Sequence, residues 1–314
     1  MPPAARSPER GVNGAEWTCE SVSRIRRNNT TDADSGADRV GGMQKTRIIV
    51  PCYNEAERLN AGEFLEWGRR SPDLHFLFVN DGSTDGTREL LIRLSQACPE
   101  RIRSFDLERN GGKAEAVRRG FLESFASGYD VIGYWDADLS TPLDAIPRFC
   151  GILEDREVDA VIGSRVRLLG SRIRRRAARH YLGRLFATCA SLAIGLPVYD
   201  TQCGAKIFRN TERLRQVFRT PFRVKWTFDV EILARFLLLE RIFGGPIIGE
   251  RFVEYPLERW DDVPGSKLKV RDFFLGAWEI LKIGYWLRSP RAERRFLAIL
   301  QEEGGSQKMN GISR

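Results

Sequence analysis

The chain has 314 residues, of which 42% are hydrophobic and 29% charged, and it carries a net charge of +8. This length allows one large domain or two small ones with a substantial core, and the composition is that of a soluble globular protein. The six cysteines include no C-x-x-C pair and the two histidines, His75 and His180, stand far apart in the sequence. These features disfavour a disulfide framework, a zinc site and a His-dependent catalytic triad.

The hydrophobic segments are too short to cross a membrane. No stretch reaches the roughly 18 continuous apolar residues that a spanning helix needs, and the N-terminus lacks the basic and apolar regions of a signal peptide. We therefore expect a cytoplasmic location and, at a membrane, peripheral contact with its cytoplasmic face.

The N-terminal residues 1–45 are polar and show no hydrophobic periodicity, so we expect them to be disordered. Met43 stands just before the first strand-like run, and we expect residues 1–42 to be dispensable. One domain should follow over 46–269, then an amphipathic helix over 270–290 and a flexible tail over 301–314.

Strand-like and helix-like segments alternate from residue 46 onward. The predicted strands are 46–51, 74–81, 101–107, 129–136 and 159–165. The predicted helices are about 56–70, 84–97, 112–127 and 142–155. This alternation predicts an α/β fold with a mainly parallel sheet and helices on both faces.

A polar segment follows each predicted strand: "PCYNE", "NDGSTDGT", "RNGGKAEA", "DADLST" and "GSR". Ligands of parallel sheets bind beyond the carboxyl ends of the strands, so these segments should converge on one edge. There Asp136 and Asp138 would project to the same side and repel each other unless a cation lies between them. A divalent ion completed by water and phosphate oxygens would meet that need, whereas the alternative is an acidic turn that caps the next helix.

The same edge contains groups suited to a nucleotide diphosphate. Lys113 follows a Gly-Gly turn at a helix start, where backbone N–H groups bind phosphate, and Asp81 could accept hydrogen bonds from a base or ribose. The sequence contains no G-x-x-x-x-G-K-[ST] motif and no G-x-G-x-x-G after the first strand. A P-loop NTPase and a Rossmann dinucleotide-binding protein are therefore disfavoured.

Positive charge is concentrated between Ala160 and Tyr199, where no acidic residue occurs. Eight arginines lie in this arginine cluster: 165, 167, 172, 174, 175, 176, 179 and 184. The cluster predicts a polyanionic partner, which could be nucleic acid, anionic lipid or a phosphorylated substrate. The alternative is a solvated helix face.

Together these segments resemble the successive motifs of family 2 glycosyltransferases of the GT-A fold: "IIVPCYNEAERL", "VNDGSTDGT", "NGGKAEAVRRG", "DADLSTP" and "GSR". The later "DTQCGAKIF", "KWTFDVEIL" and "GSKLKVRDFF" are similar to those of the polyprenyl-phosphate sugar transferases, and most closely to dolichyl-phosphate β-glucosyltransferases. The resemblance covers about 46–285. It implies a nucleotide-diphospho-sugar transferase that moves glucose from UDP-glucose to a polyprenyl phosphate with inversion, using Mg²⁺ or Mn²⁺.

The resemblance also implies a role for each matched residue on the donor side. Four residues would contact the base and ribose: Pro51, Tyr53, Glu55 and Asp81. Lys113 and Asp136 would lie by the nucleotide. Asp138 would be a metal ligand, and its partner in the carboxylate pair, Asp136, is the second candidate ligand.

On the acceptor side, the resemblance implies that Arg165 and Arg179 meet the acceptor phosphate. Asp200 and Asp229 match acidic positions of the family and are the candidate catalytic carboxylates. Asp229 could activate or orient an acceptor, although it could instead cap the helix that begins near it. A phosphate monoester has a second pKa of about 6 and is already nucleophilic at neutral pH, so a general base is not compulsory.

The sequence departs from the family at two places in these motifs. Asn80 stands where the family usually has Asp, and Leu139 and Ser140 stand in a segment that usually reads D-A-D-G-A-T. Two other functions remain open at this point: a related transferase with a soluble or glycan hydroxyl acceptor, and a non-catalytic nucleic-acid-binding protein that uses the arginine cluster. With a polyprenyl phosphate acceptor, no nucleic-acid partner is expected.

The segment "VRDFFLGAWEILKIGYWLR" places an apolar set near one helical face: Phe273, Phe274, Ala277, Trp278, Leu281 and Tyr285. Its tryptophans and flanking arginines are typical of a helix that lies in a membrane interface. A helix packed on the catalytic domain would show the same pattern.

Overall fold

The computed structural model describes residues 43–298 apart from 175–176, 246 and 262–269. The side chains of 174, 177–180 and 270–273 lie outside this description. The disorder predicted for 1–45 therefore falls almost entirely outside the described residues, and the tail predicted for 301–314 falls wholly outside them.

The strands are β1 (Thr46–Cys52), β2 (Leu74–Asn80), β3 (Ile102–Asp106), β4 (Val131–Trp135), β5 (Ala160–Ser164), β6 (Arg172–Arg174), β7 (Ala205–Arg209), β8 (Phe252–Pro256) and β9 (Arg259–Asp261). Seven of them form one sheet in the order β3-β2-β1-β4-β7-β5-β8, and β6 pairs with β9 separately. Strand β7 is antiparallel to both of its neighbours, and the other pairs of the large sheet are parallel.

The helices are α1 (Ala61–Arg70), α2 (Thr87–Ala97), α3 (Lys113–Phe125), α4 (Ala145–Asp155), α5 (Ala177–Ile194), α6 (Glu212–Arg219), α7 (Phe228–Phe243), α8 (Ile248–Arg251) and α9 (Val270–Arg288). A further helical segment is described over 290–298. Among the described helices, none has the length and apolar character needed to cross a bilayer.

Alternation along the strands builds a core on each side of the sheet. In β1, Ile48 and Val50 pack with Phe64 of α1, whereas Ile49 points to the other face and packs with Phe121 of α3. All of these side chains are fully buried. The mainly parallel α/β sheet with helices on both faces is therefore confirmed.

The first helix begins later than the predicted residue 56. The backbone N–H groups of Arg58 and Leu59 donate to the carbonyl of Glu55 and hold residues 55–59 in a turn. The helix then starts at Ala61, where the side chain of Asn60 accepts a hydrogen bond from a backbone N–H of the first turn. Asn is a favoured N-cap because it satisfies such an N–H group, so the helix boundary moves to it.

Strands β2, β1 and β4 are neighbours in the sheet and run in the same direction. The segments that follow them therefore leave the sheet at one edge. This arrangement brings the polar segments after the first, second and fourth predicted strands to a common place, as the sequence predicts.

Candidate active site

A cleft of about 210 Å³ lies at the carboxyl ends of β1, β2 and β4. Its lining includes every residue predicted to bind the nucleotide sugar or the metal: Pro51, Tyr53, Glu55, Asp81, Lys113, Asp136 and Asp138. The structure therefore brings together residues that are spread over nearly ninety positions of the sequence. The predicted roles of the individual residues remain predictions.

Asp136 and Lys113 form an ion pair in this cleft. Lys113 is the first residue of α3, and its Nζ lies 2.5 Å from Asp136 Oδ1. Burial alone would lower the pKa of Lys113, but the carboxylates of Asp136 and Asp229 outweigh it and raise the pKa, so the ammonium is held protonated. The ion pair uses one carboxylate oxygen of Asp136, Oδ1.

Asp138 lies two residues further along the same loop. Its Oδ1 accepts a hydrogen bond of 3.0 Å from the backbone N–H of Ser140. Between them, Leu139 has a φ of 52°, in the left-handed region that glycine adopts at little cost. The Leu139 side chain packs against the core on one face of the sheet, and this contact compensates for the strain of replacing the family's usual glycine.

Asp81 shapes the turn that precedes Lys113. Its two carboxylate oxygens accept hydrogen bonds from the backbone N–H groups of Gly111 and Gly112, at 2.7 and 2.8 Å. Gly112 has a φ of 87°, which a residue with a side chain would adopt only with strain. Asp81 therefore fixes the start of α3 while it lines the cleft.

Asn80, where the family usually has Asp, has a partner of its own. Its Nδ2 donates a hydrogen bond of 2.7 Å to Asp106 Oδ1 on the neighbouring strand β3. An aspartate at position 80 would face that carboxylate with a like charge. The amide therefore suits this chain, and Asp81 next to it keeps its place in the cleft.

Gly204 permits the close approach of β4 and the loop before β7. A side-chain carbon at this position would lie 1.9 Å from Asp136 Oδ2. The backbone N–H of Asp136 also donates to the Gly204 carbonyl at 3.0 Å. Glycine in the "CGAK" segment is therefore required for the carboxylate of Asp136 to occupy its position.

Asp229 lies near the start of α7 and does not cap it. The cap position is Thr227, whereas Asp229 turns inward and is only 3% exposed. Its Oδ1 accepts hydrogen bonds from Lys206 Nζ, at 2.5 Å, and from the Tyr134 hydroxyl. Burial and then the nearby Asp229 carboxylate raise the pKa of Tyr134 well above its usual value, which keeps the hydroxyl protonated as a donor.

Asp200 holds Arg165. The guanidinium of Arg165 donates from Nε and Nη2 to the two carboxylate oxygens of Asp200, at 2.6 and 2.8 Å. The backbone N–H groups of Tyr199 and Asp200 donate in turn to the carboxylate of Glu254 on β8. Asp200 is thus placed to position Arg165. The contacts of its carboxylate do not indicate a general base.

The rest of the predicted acceptor site is only partly described. The side chain of Arg179 lies outside the described residues, as do those of Arg174, Arg175 and Arg176. Arg184 stacks on the ring of Tyr199, with its guanidinium carbon 3.5 Å from the ring centre. The arginine cluster therefore contributes one buried ion pair and one stacked arginine among its described members.

Glu279 links α9 to the start of α7. Its carboxylate accepts hydrogen bonds of 2.9–3.1 Å from the backbone N–H groups of Lys225, Trp226 and Thr227 and from the Thr227 hydroxyl. Glu279 is 7% exposed. The C-terminal helix is therefore bonded to the segment that places Asp229.

The oxygen ligands of the cleft fit Mg²⁺ or Mn²⁺. Asp136 and Asp138 present carboxylate oxygens, which are the ligands such hard cations prefer. Within the described part of the chain, no group of three or more His, Cys, Asp or Glu is arranged to hold a metal ion. An ion at this pair would need further oxygens from water and a bound diphosphate, which is common for Mg²⁺.

Three residues that position this site were not predicted from the sequence: Lys206, Tyr134 and Glu279. A lysine in the apolar strand "AKIF" and a glutamate in the apolar helix "AWEIL" were available signals, because charges in such segments need buried partners. The tyrosine gave no signal, since its ring suits any buried strand.

Comparisons with known proteins agree with this geometry. Residues 47–220 match the family model described as glycosyl transferase family 2. A dolichyl-phosphate beta-glucosyltransferase from Dictyostelium discoideum is 33% identical over 70% of this chain and 68% of its own. Another protein of that name, from Trichomonas vaginalis, is 29% identical over 78% of this chain and 72% of its own.

Solved structures extend the comparison to the fold. Glucosyl-3-phosphoglycerate synthase from Mycobacterium tuberculosis, in complex with Mn²⁺ and UDP-glucose, is similar with a TM-score of 0.55 at 16% identity. The match covers 76% of this chain and 77% of that one. This similarity confirms the predicted GT-A fold.

Proposed function

Because the chain belongs to glycosyl transferase family 2, we propose that it transfers glucose from UDP-glucose to a polyprenyl phosphate of the dolichyl type, with inversion and with Mg²⁺ or Mn²⁺. Curated relatives named dolichyl-phosphate beta-glucosyltransferase support the sugar and the lipid acceptor. The observation that carries the proposal is the cleft where Asp136, Asp138 and Lys113 meet. A carboxylate pair beside a lysine suits a metal-bound diphosphate better than any neutral ligand.

On the donor side, the chain's residues bind and orient the nucleotide. Asp136 and Asp138 would hold the divalent ion, which supplies positive charge to the diphosphate as the glycosyl bond breaks. Lys113 adds a protonated ammonium beside Asp136. Asp81 keeps the Gly-Gly turn in place, so that the backbone at the start of α3 faces the cleft.

On the acceptor side, the environment of Asp229 favours a phosphate. Asp229 is buried and already accepts hydrogen bonds from Lys206 and Tyr134, so it is poorly placed to remove a proton from a hydroxyl group. A phosphate monoester needs no such base. Arg165, aligned by Asp200, and Arg179 are the groups proposed to bind it.

The proposed lipid acceptor also implies a location for the protein. A polyprenyl phosphate has its phosphate at the surface of a bilayer, so we assign the protein to peripheral contact with the cytoplasmic face of a membrane. Nucleic acid is not among its proposed partners.

The test is product analysis of the full chain. The protein is incubated with a set of nucleotide sugars and polyprenyl phosphates, and the lipids are analysed by mass spectrometry. We expect one hexose on the lipid phosphate, with UDP-glucose the best donor and with dependence on Mg²⁺ or Mn²⁺. Transfer only to soluble hydroxyl compounds would refute the acceptor and leave the donor assignment standing.

A further inference from the structure

Trp260 lies against the guanidinium of Arg165. It is the middle residue of β9 and is only 8% exposed. The guanidinium carbon of Arg165 lies 5.5 Å from the centre of the Trp260 ring. A cation within about 6 Å of a tryptophan ring is attracted by it, and most strongly where water is excluded. Trp260 is therefore a further partner of Arg165, beside Asp200.

The chain before Trp260 is bonded to the strand that leads to Arg165. Strands β5 and β8 are parallel neighbours in the sheet. Just after β8, the backbone N–H of Leu257 donates to the carbonyl of Ser164, the last residue of β5, at 2.9 Å. The segments that carry Trp260 and Arg165 therefore leave neighbouring strands at the same edge of the sheet.

Strand β9 also contacts the loop of the carboxylate pair. The backbone N–H of Asp261 donates to the carbonyl of Ser140 at 3.1 Å. Ser140 in turn donates from its backbone N–H to Asp138 Oδ1 at 3.0 Å. Two successive hydrogen bonds therefore join the residue after Trp260 to the proposed metal ligand.

Apolar neighbours hold the ring of Trp260 in place. Trp260 belongs to the same hydrophobic core as Ile173, Leu257 and Ala137. It also pairs with Ile173 in the parallel register of β6 and β9. A ring fixed in this way can restrain the side chain of Arg165, because its own position does not depend on a bound substrate.

We propose that Trp260 is a positioning residue for the acceptor phosphate, which acts by holding the guanidinium of Arg165 in place before the phosphate binds. The inference rests on the proposed function and deepens it, because it takes Arg165 to bind the phosphate of the lipid acceptor. An arginine that is already held loses less side-chain entropy on binding. Loss of the ring should therefore weaken phosphate binding. UDP-glucose binding should stay the same, because the bond between Asp261 and Ser140 does not involve the ring.

A purely structural role is the alternative, since a large side chain in a core contributes to stability wherever it lies. The chain offers a matched control in Trp67 of α1, which is 9% exposed and belongs to the same core. It also has an arginine partner, with the guanidinium carbon of Arg70 3.7 Å from its ring centre. Trp67→Leu therefore removes a similar ring and a similar contact, but not one to Arg165.

Steady-state kinetics of the full chain, with a short polyprenyl phosphate in detergent, test the proposal. The variants are Trp260→Leu, Trp260→Phe and the control Trp67→Leu. We expect Trp260→Leu to raise the KM for polyprenyl phosphate about 5- to 30-fold, the range of a buried cation–π contact, with an unchanged KM for UDP-glucose. Trp260→Phe keeps an aromatic ring and should recover part of the loss. Trp67→Leu should lose stability in urea but keep both KM values.

The double variant W260L/R165K tests whether the ring acts through Arg165. Lysine lacks the planar guanidinium that stacks on aromatic rings. Loss of the ring should therefore change the acceptor KM of Arg165→Lys by about twofold or less. Effects of the two substitutions that multiply in full would give Trp260 a role separate from Arg165 and would overturn the proposal.

Calorimetric titration with farnesyl phosphate, in the presence of UDP and Mn²⁺, separates this proposal from the proposed function. If wild type transfers no glucose but binds farnesyl phosphate, and only Trp260→Leu weakens that binding, the proposed function is rejected and the positioning role stands. If wild type transfers glucose and Trp260→Leu has an unchanged acceptor KM, or Trp67→Leu shifts it equally, the positioning role is rejected and the proposed function stands. Neither transfer nor binding by wild type would reject both.

Discussion

Asp136 is paired with Lys113, whereas Asp138 is held by the backbone N–H of Ser140. A divalent ion could therefore draw on Asp138 without first breaking an ion pair. This difference makes Asp138 the more informative position for testing the metal site. The carboxylate pair could be predicted from the sequence because its two members stand close together in the chain. The ion pair between Lys113 and Asp136 could not be predicted in this way.

Replacing Asp138 with Asn should remove most metal-dependent activity and leave the fold intact. The amide is a poorer ligand, and the substitution also relieves the repulsion between two carboxylates. We expect a loss of about 100-fold in kcat/KM, or about 2.7 kcal/mol. Initial rates over a Mn²⁺ titration measure this loss of activity. The control is Asp144→Asn, which changes an exposed carboxylate outside the cleft lining. Wild-type activity of Asp138→Asn at low metal would rule out the assignment.

Replacing Lys206 with Met should destabilise the protein because it leaves the Asp229 carboxylate buried without its counter-charge. The expected loss in the free energy of unfolding is about 3–5 kcal/mol. The double variant K206M/D229N removes both charges and keeps an acceptor for Tyr134, so it should recover part of the loss. Urea unfolding of Lys206→Met, Asp229→Asn and the double variant measures this. A double variant that loses the sum of both single effects would show that Lys206 and Asp229 do not act as a pair.

Arg165→Lys tests the acceptor phosphate more cleanly than Arg165→Ala, because alanine would remove the positive charge that lies against the buried Asp200 carboxylate. Lysine keeps the charge but cannot make the bidentate contact or hold the same donor geometry. We expect use of polyprenyl phosphate to fall about 10-fold, in line with about 1.5 kcal/mol for one charge-assisted hydrogen bond, while the KM for UDP-glucose stays the same. Steady-state kinetics with each substrate varied in turn measure these changes. Arg167→Lys serves as the control. A rise in the UDP-glucose KM alone would move Arg165 to the donor side.

At the scale of elements, the alternation of strands and helices was predictable because each apolar strand ends in a polar segment. The antiparallel direction of β7 was not predictable, since the sequence "AKIF" is compatible with a strand of either direction. The partners of Asp229 were hidden for a similar reason. Lys206 and Tyr134 lie 23 and 95 residues from it, and only the sheet order places β4 beside β7 beneath α7.

The contact between α9 and the start of α7 also gives a prediction. Glu279→Gln keeps the size of the side chain but removes the charge that three backbone N–H groups share. We expect the free energy of unfolding to fall by about 1.5–3 kcal/mol and kcat to fall as the segment before Asp229 loosens. Urea unfolding and kinetics measure both, with the exposed Glu66→Gln as the matched control. Full stability of Glu279→Gln would contradict the role given to this contact.

At the scale of the whole molecule, the described residues, which begin at Met43, belong to one compact unit. A protein that starts at Met43 should therefore fold and transfer glucose as the full chain does, since every residue assigned to the site lies beyond that point. Circular dichroism melting and product formation compare the two. Failure of the shorter protein to fold would assign a structural role to residues 1–42.

The proposed reaction moves a glucosyl group from UDP to a lipid phosphate. The most direct measurement quantifies both products of one reaction, UDP and glucosyl polyprenyl phosphate, with the full chain, UDP-glucose, Mn²⁺ and a polyprenyl phosphate. We expect the two products to form in equal amounts, and omission of the lipid phosphate to stop UDP release. UDP release matched by free glucose, with no sugar on the lipid, would contradict it.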